Sequence, residues 1–468
     1  MKRLFCCAAL AAAAITLPAQ IKIELQQGER PAMAIPDFRG DAQAQPWMGA
    51  FNDTLWSDVD GAGLLRMVPK TMYPKANPQQ AADWRQPPPP PSGRGRQAQP
   101  PVLPSGGGLW QSDWSGPPVS ANYLAFGYTA VQNGVLVLYA WLWDLGRGVQ
   151  VIGQRYLASN PDEAGAREIA HKFAADIITE FGGQPISGTH IYFTSDRTGG
   201  GHKEIWVMDP DGRNQRQVTR FNDTSMQASP SPDGTKIAFS SYAHGNPAIF
   251  VFSVDPEHNP VQARDLRFYN QRASVNSSPS FTPDGKRIIY SSSAPTDRCC
   301  RIFIANLDGS GFRRITDGIW IDTEPKVNPK NDAEVVFVSG RSSGPRVGQQ
   351  IYRMNMDGSD IERLTPGEGE ASNPSWHPSG QIIAFAWTRG FEAGDFNIFT
   401  MDVATRQYKQ LTHSEGRNEN PFWAPDGVRL VFMSTRGGSK QIWTMLADGT
   451  QVRQLTTQGN NEAPVWAK

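Results

Sequence analysis

A unit that returns about every 43 to 51 residues through the C-terminal three-fifths of the chain constrains the fold more than any other feature. Ser280-Phe281-Thr282-Pro283-Asp284-Gly285 runs into Arg287-Ile288-Ile289-Tyr290, then Arg301-Ile302-Phe303-Ile304 and Leu307-Asp308-Gly309. The pattern recurs from Trp376 to Gln410-Leu411-Thr412 and from Trp423-Ala424-Pro425-Asp426-Gly427 to Gly449. A repeat of this length implies a radial or stacked architecture. Four short apolar strands per unit, separated by Asp-Gly and Pro-Asp-Gly turns, describe the blade of a β-propeller.

The turns align on Pro232, Pro283, Pro329, Pro378 and Pro425. Ahead of them stands an incomplete unit: His190-Ile191-Tyr192-Phe193, Glu204-Ile205-Trp206-Val207 and Asp211-Gly212, with no first strand. Glu462-Ala463-Pro464-Val465-Trp466, at the chain's end, matches the first strands of the other units. The sequence therefore predicts six blades, spanning 186–468, with the C-terminal strand completing the first blade. Such closure removes the free sheet edges that invite aggregation.

A small α/β domain is expected over 20–183. Arg30 to Pro36 reads as a core strand, and Met48, Phe51, Leu55 and Val59 recur at helical spacing up to Gly61 and Gly63. Asn133-Gly134 between two apolar runs is a strong hairpin signal, and Val149 to Leu157 is a third strand. Pro161-Asp162-Glu163 opens a helix through about Phe181, stopped by Gly182-Gly183. Residues 86–108, rich in Pro, Gly and Arg, cannot bury a core and are expected as a disordered loop or polyproline-like spacer.

Met1-Lys2-Arg3 followed by the apolar run Leu4 to Leu17 and Pro18-Ala19 reads as a signal peptide over 1–19, with Gln20 the first mature residue. That run is too short for a stable membrane span. The 45 basic residues balance 45 acidic ones, which leaves no nucleic-acid-binding or membrane-surface charge pattern. Cys6 and Cys7 leave with the signal peptide. Cys299 and Cys300 are adjacent, and a vicinal disulfide and two free thiols are equally compatible with them. The seven histidines show no metal-ligand spacing, and no catalytic residue or cofactor is expected.

The order of signal peptide, α/β domain and six-bladed propeller resembles the TolB family, periplasmic propeller proteins of the Tol-Pal system. Leu142-Trp143-Asp144, Ala170-His171-Lys172-Phe173-Ala174-Ala175-Asp176 and Ile191-Tyr192-Phe193-Thr194-Ser195 carry the resemblance. It implies a non-enzymatic, monomeric periplasmic adaptor that acts in outer-membrane constriction at cell division and in envelope integrity. One propeller mouth would bind the peptidoglycan-associated lipoprotein Pal, and the mature N-terminus would bind TolA. The TolA segment corresponds to Gln20, Ile21, Lys22, Ile23, Glu24 and Leu25, an alternating stretch able to add a strand to a partner sheet. The Pal surface corresponds to residues just before the first strands: Asn276, Ser278, Thr323, Glu324, Asn373, Asn420 and Glu462. Val275 stands where the family often has a histidine.

Two other classes compete. Gly340-Arg341-Ser342-Ser343-Gly344 matches G-x-S-x-G, but follows a blade strand rather than forming the strand-to-helix elbow that a hydrolase needs. Trp376, Trp423 and Trp466 recur at one place per unit and would suit sugar stacking if exposed, or inter-blade packing if buried. The same ring of Asn and Glu leaves a place for a divalent cation in the tunnel, which nothing in the sequence requires.

Overall fold

A computed structural model of the chain describes residues 30–86, 107–254, 260–264, 275–294, 300–341 and 348–468. The signal-peptide and TolA-segment expectations, most of the Pro/Gly-rich segment, and Cys299 and Ser342 lie outside these residues. Among the described residues, no helix is long and apolar enough to cross a membrane. Cys300 is buried and disulfide-bonded.

The N-terminal sheet is mixed. Ala32–Ala34 lies parallel to Arg66–Met67 on one side and to Tyr123–Gln132 on the other. Val135–Asp144 and Val149–Leu157 then continue antiparallel. The hairpin turns at Asn133 (φ 52°) and Gly134 (φ 77°), the paired left-handed residues of a type I′ turn. Helices α1 (Met48–Gly61) and α3 (Glu163–Glu180) follow the local signals, and a short α2 (Gln111–Ser115) lies between them in the chain, outside the expected elements. Asp162 caps α3 by accepting the Gly165 N–H at 2.8 Å, and Gly182 (φ 76°) terminates it. α1 and α3 cover one sheet face, with Phe51, Leu55, Ile169, Phe173 and Ile177 fully buried. Trp84, Trp114, Leu124 and Phe126 fill the other.

The propeller has six four-stranded blades. Blade I joins the C-terminal strand Asn461–Ala467 to His190–Ser195, Glu204–Met208 and Arg216–Gln217. Blades II to VI begin with Ser225–Pro230, Asn276–Phe281, Asp322–Asn328, Ala371–Trp376 and Asn418–Trp423. Asn461 to Ala467 pair antiparallel with Ser195 to His190, so the chain's end closes the ring as expected.

The turn chemistry explains the repeat. In the second blade Asp233 accepts from Ser231 Oγ (2.6 Å) and Thr235 N (3.0 Å), bonds that hold its carboxyl down at about 2. Asp284 and Asp426 accept the same following-residue amides (Lys286 N 3.0 Å, Val428 N 2.8 Å). Each is followed by a left-handed glycine, Gly234, Gly285 or Gly427.

A second repeated device clamps the opposite end of the blades. Arg197, Arg341 and Arg436 each donate Nε to a serine two residues earlier, Ser195, Ser339 or Ser434, at 2.9 to 3.0 Å. Each also reaches the first strand through Nη2: Asn461 (2.8 Å), Asp322 (2.8 Å) and Asn418 (3.1 Å). Their guanidinium planes lie over Phe193, Phe337 and Phe432, and over an aromatic residue of the third strand. The pattern Phe-x-Ser-x-Arg was therefore readable in the sequence as a strand-to-strand clasp.

The N-terminal domain rests on the end of the ring that carries the turns. Arg453 bonds Ser57 Oγ of α1 at 3.1 Å and Asp211 O of the first blade at 2.7 Å. His171 of α3 contacts Asp58 of α1 at 2.5 Å, in a cleft that also includes His190, Asp209 and Arg213. The starts of the six first strands lie at the other end.

Candidate binding site at the tunnel mouth

Each first strand contains one residue more than its partner requires, and the register shifts there in all six blades. A β-bulge of this kind bends the strand and re-aims a side chain. The extra residue sits in the left-handed region every time: Gln227 (φ 57°), Ser278 (54°), Glu324 (52°), Asn373 (54°), Asn420 (53°) and Ala463 (49°). Non-glycine residues rarely adopt this conformation, and its sixfold recurrence is a property of the architecture. The six residues converge on the central tunnel, with Lys326, Phe422 and Val465 lining a cavity of about 80 Å³ beneath them.

The ring is partly self-satisfied. Gln227 Oε1 accepts the Ser278 N–H at 2.9 Å. Glu324 Oε2 accepts the Asn373 N–H at 2.6 Å, and Asn373 Nδ2 donates to Glu324 Oε1 at 3.2 Å. Asn373 Oδ1 accepts the Asn420 N–H at 3.3 Å. Gln227, Glu324 and Asn373 thus each fix the next blade's bulge. Ser278 and Ala463 are too short to do the same, and among the described residues Asn420 makes no such link to Ala463.

Two opposite charges face the tunnel. Burial pushes the Glu324 carboxyl above its usual range, opposed by the Asn373 amide and the Lys326 ammonium and reinforced by the Glu419 carboxylate. Burial pulls the Lys326 ammonium below its usual range, opposed by Glu324. A divalent cation needs a shell of oxygen ligands, and here it would meet an ammonium. Among the described residues, no three His, Cys, Asp or Glu side chains cluster as metal ligands.

The expected mouth residues divide. Ser278, Glu324, Asn373 and Asn420 line the tunnel. Thr323 is half-buried beside Glu324, and Asn276 is buried at the strand start, its N–H bonded to Pro247 O. Glu462 lies outside the ring lining and pairs with Lys203 and, at 2.7 Å, with Lys440. Despite burial, those two ammonium groups hold its carboxyl below the usual range. Its neighbour Ala463 occupies the ring position instead. Gln227, Lys326, Phe422 and Ala463 also line the tunnel, beyond the expected residues. Gln227 precedes Ala228 rather than a proline, so an alignment on the first-strand proline passes over it.

The tryptophans do not offer a sugar platform. Trp376, Trp423 and Trp466 are 8%, 2% and 3% exposed and pack in inter-blade clusters. Trp376 Nε1 donates across the blade boundary to Lys326 O at 3.0 Å.

Comparison with known proteins agrees with this architecture. The family model described as the TolB beta propeller domain matches residues 182–393 and 367–468. A protein TolB homolog of Chlorobium luteolum is 30% identical over 231 residues, 49% of this chain and 49% of its own length. The Tol-Pal system protein TolB of Desulfosudis oleivorans is 30% identical over 199 residues, 42% of each. The chain spans about half the length of the curated relatives it matches. The crystal structure of TolB from Acinetobacter baumannii superposes with a TM-score of 0.70 at 20% identity, covering 93% of this chain and 96% of that one. That likeness extends the shared fold to the N-terminal domain. The six-bladed ring, its terminal closure and the matched family model together place this chain in the TolB β-propeller family.

Proposed function

We propose that this chain is a non-enzymatic periplasmic adaptor of the Tol-Pal system, docking the lipoprotein Pal at the tunnel mouth. The observation that carries the reading is the ring of left-handed residues at the end of the propeller away from the N-terminal domain. Backbone bulges braced by Glu324 and Asn373 form a pre-shaped polar surface, which suits recognition of a partner loop with little rearrangement. The names of its curated relatives, a Tol-Pal system protein among them, support the same assignment.

Export by the signal peptide would expose Gln20 to Leu25 as a mature N-terminus, which would bind TolA by strand addition. Engagement at both ends would link the inner membrane to the outer membrane during constriction. The test is calorimetry of the full chain with soluble Pal. Glu324→Arg should abolish binding, at some cost in stability because the carboxylate that holds the Asn373 amide is lost, and wild-type affinity in that variant would refute the docking site.

A further inference from the structure

Lys326 is singular within the tunnel. Counting two residues beyond each left-handed position, the other five blades carry Ser229, Ser280, Ser375, Phe422 and Val465. None of these is charged. A lysine here places an ammonium on the wall of a confined cavity, where desolvation disfavours it.

Its neighbours do not satisfy it. Glu324, the nearest opposite charge, is engaged by the Asn373 backbone N–H and side-chain amide. Among the described residues Lys326 Nζ forms neither a hydrogen bond nor an ion pair, although the Glu324 charge is close enough to be felt. The unfilled group is a donor with three N–H bonds and no acceptor capacity. Its complement is therefore an acceptor, and an anionic one compensates the half-buried charge best. A cavity of about 80 Å³ holds a terminal carboxylate with a few waters, not a folded segment.

We propose that Lys326 forms a carboxylate socket in the tunnel, receiving one acidic side chain from the loop of the partner that docks at the mouth. This rests on the docking reading above. The carboxylate would take Lys326 as its donor, while the braced bulges position the surrounding loop. Phe422 and Val465 would pack on the methylenes of the incoming side chain. Lys326 is then a determinant of partner choice: a partner loop ending in a neutral or basic side chain would cover the half-buried ammonium without giving it an acceptor.

The test compares wild type, Lys326→Met and Glu324→Arg as full chains, by calorimetry with the soluble lipoprotein partner and by thermal melting. Lys326→Met should bind about 30-fold more weakly or worse, as when one member of a buried charge pair is truncated. Its melting temperature should stay near that of wild type, because the change removes a desolvated ammonium together with the counter-charge that Glu324 feels. Lys326→Glu should fail to bind, and an acid-to-lysine exchange in the partner loop should restore it. If Lys326→Met binds as wild type while Glu324→Arg does not, the socket falls and the docking site stands. If both bind as wild type, the docking site falls as well. A parallel titration with sodium acetate, followed by NMR of the lysine side chains, separates the sources. Millimolar acetate that shifts Lys326 without weakening the partner would identify a free small-anion site and overturn the proposal.

Discussion

Trp466 donates its indole N–H to Thr189 Oγ1 at 2.7 Å, joining two residues 277 positions apart. The contact lies inside the blade that the two ends of the propeller build together. Trp466 is 3% exposed and packs with Ile191, Phe193 and Met208. Deleting 462–468 would strip a strand from blade I and expose the edges of His190–Ser195 and of the neighbouring first strands. The truncated chain should melt far below wild type or fail to fold. Trp466→Ala alone should cost about 3–5 kcal/mol, as for other buried large-to-small changes. Thermal denaturation checks both, and unchanged melting of the truncation would refute closure.

Trp423 separates a core role from a sugar-binding one. It is buried between blades, with the His377 ring edge-on at 4.6 Å. Trp423→Ala should therefore lose about 3–5 kcal/mol of stability. A variant of wild-type stability that had lost affinity for peptidoglycan fragments would contradict the burial. Urea denaturation beside a sedimentation assay distinguishes the outcomes.

Much of this was legible in the residues, and the exceptions have physical causes. The missing first strand of blade I could be read because Pro-x-apolar recurs in blades III to VI, as Phe281, Val327, Trp376 and Trp423, and reappears at Pro464 and Trp466. Helix α1 followed from Met48, Phe51, Leu55 and Val59, all of them buried. The tunnel lining was harder. Alternation identifies the facing side of a regular strand, but the bulge inserts one residue and breaks the period. That is why the repeat points to Glu462 where Ala463 occupies the ring position, and why it does not single out Lys326 beside Glu324. Individual charges showed; their depth did not.

The junction of the two domains should respond to pH. Burial lowers the proton affinity of His171, but the hydrogen bond to Asp58 and the charges of Asp58, Asp211 and Asp209 outweigh it, so the imidazole's pKa is raised overall. A raised histidine pKa stabilises the folded state fully below the free-imidazole value, near 6.5, and loses that contribution as pH climbs through the folded value. The melting temperature should thus fall from about pH 6.5 upward. Asp58→Asn removes the principal partner and should flatten the profile. Calorimetry from pH 6 to 9 is the check, and parallel profiles would show that the pair does not couple to folding.

Ala463 should be improvable by glycine. Its φ of 49° places an alanine in the left-handed region, which costs an L-residue about 1–2 kcal/mol. Its methyl cannot brace the neighbouring bulge as Glu324 or Asn373 does. Ala463→Gly relieves the backbone cost while adding about 0.4–1 kcal/mol of unfolded-state entropy. The net gain should be about 0–1.6 kcal/mol in urea denaturation. Glu324→Gly should lose stability despite the same φ, because the carboxylate that holds the Asn373 amide goes with it. If both substitutions raise stability, the side-chain bracing has been misassigned; if both lower it, the cost of the left-handed backbone at Ala463 has been.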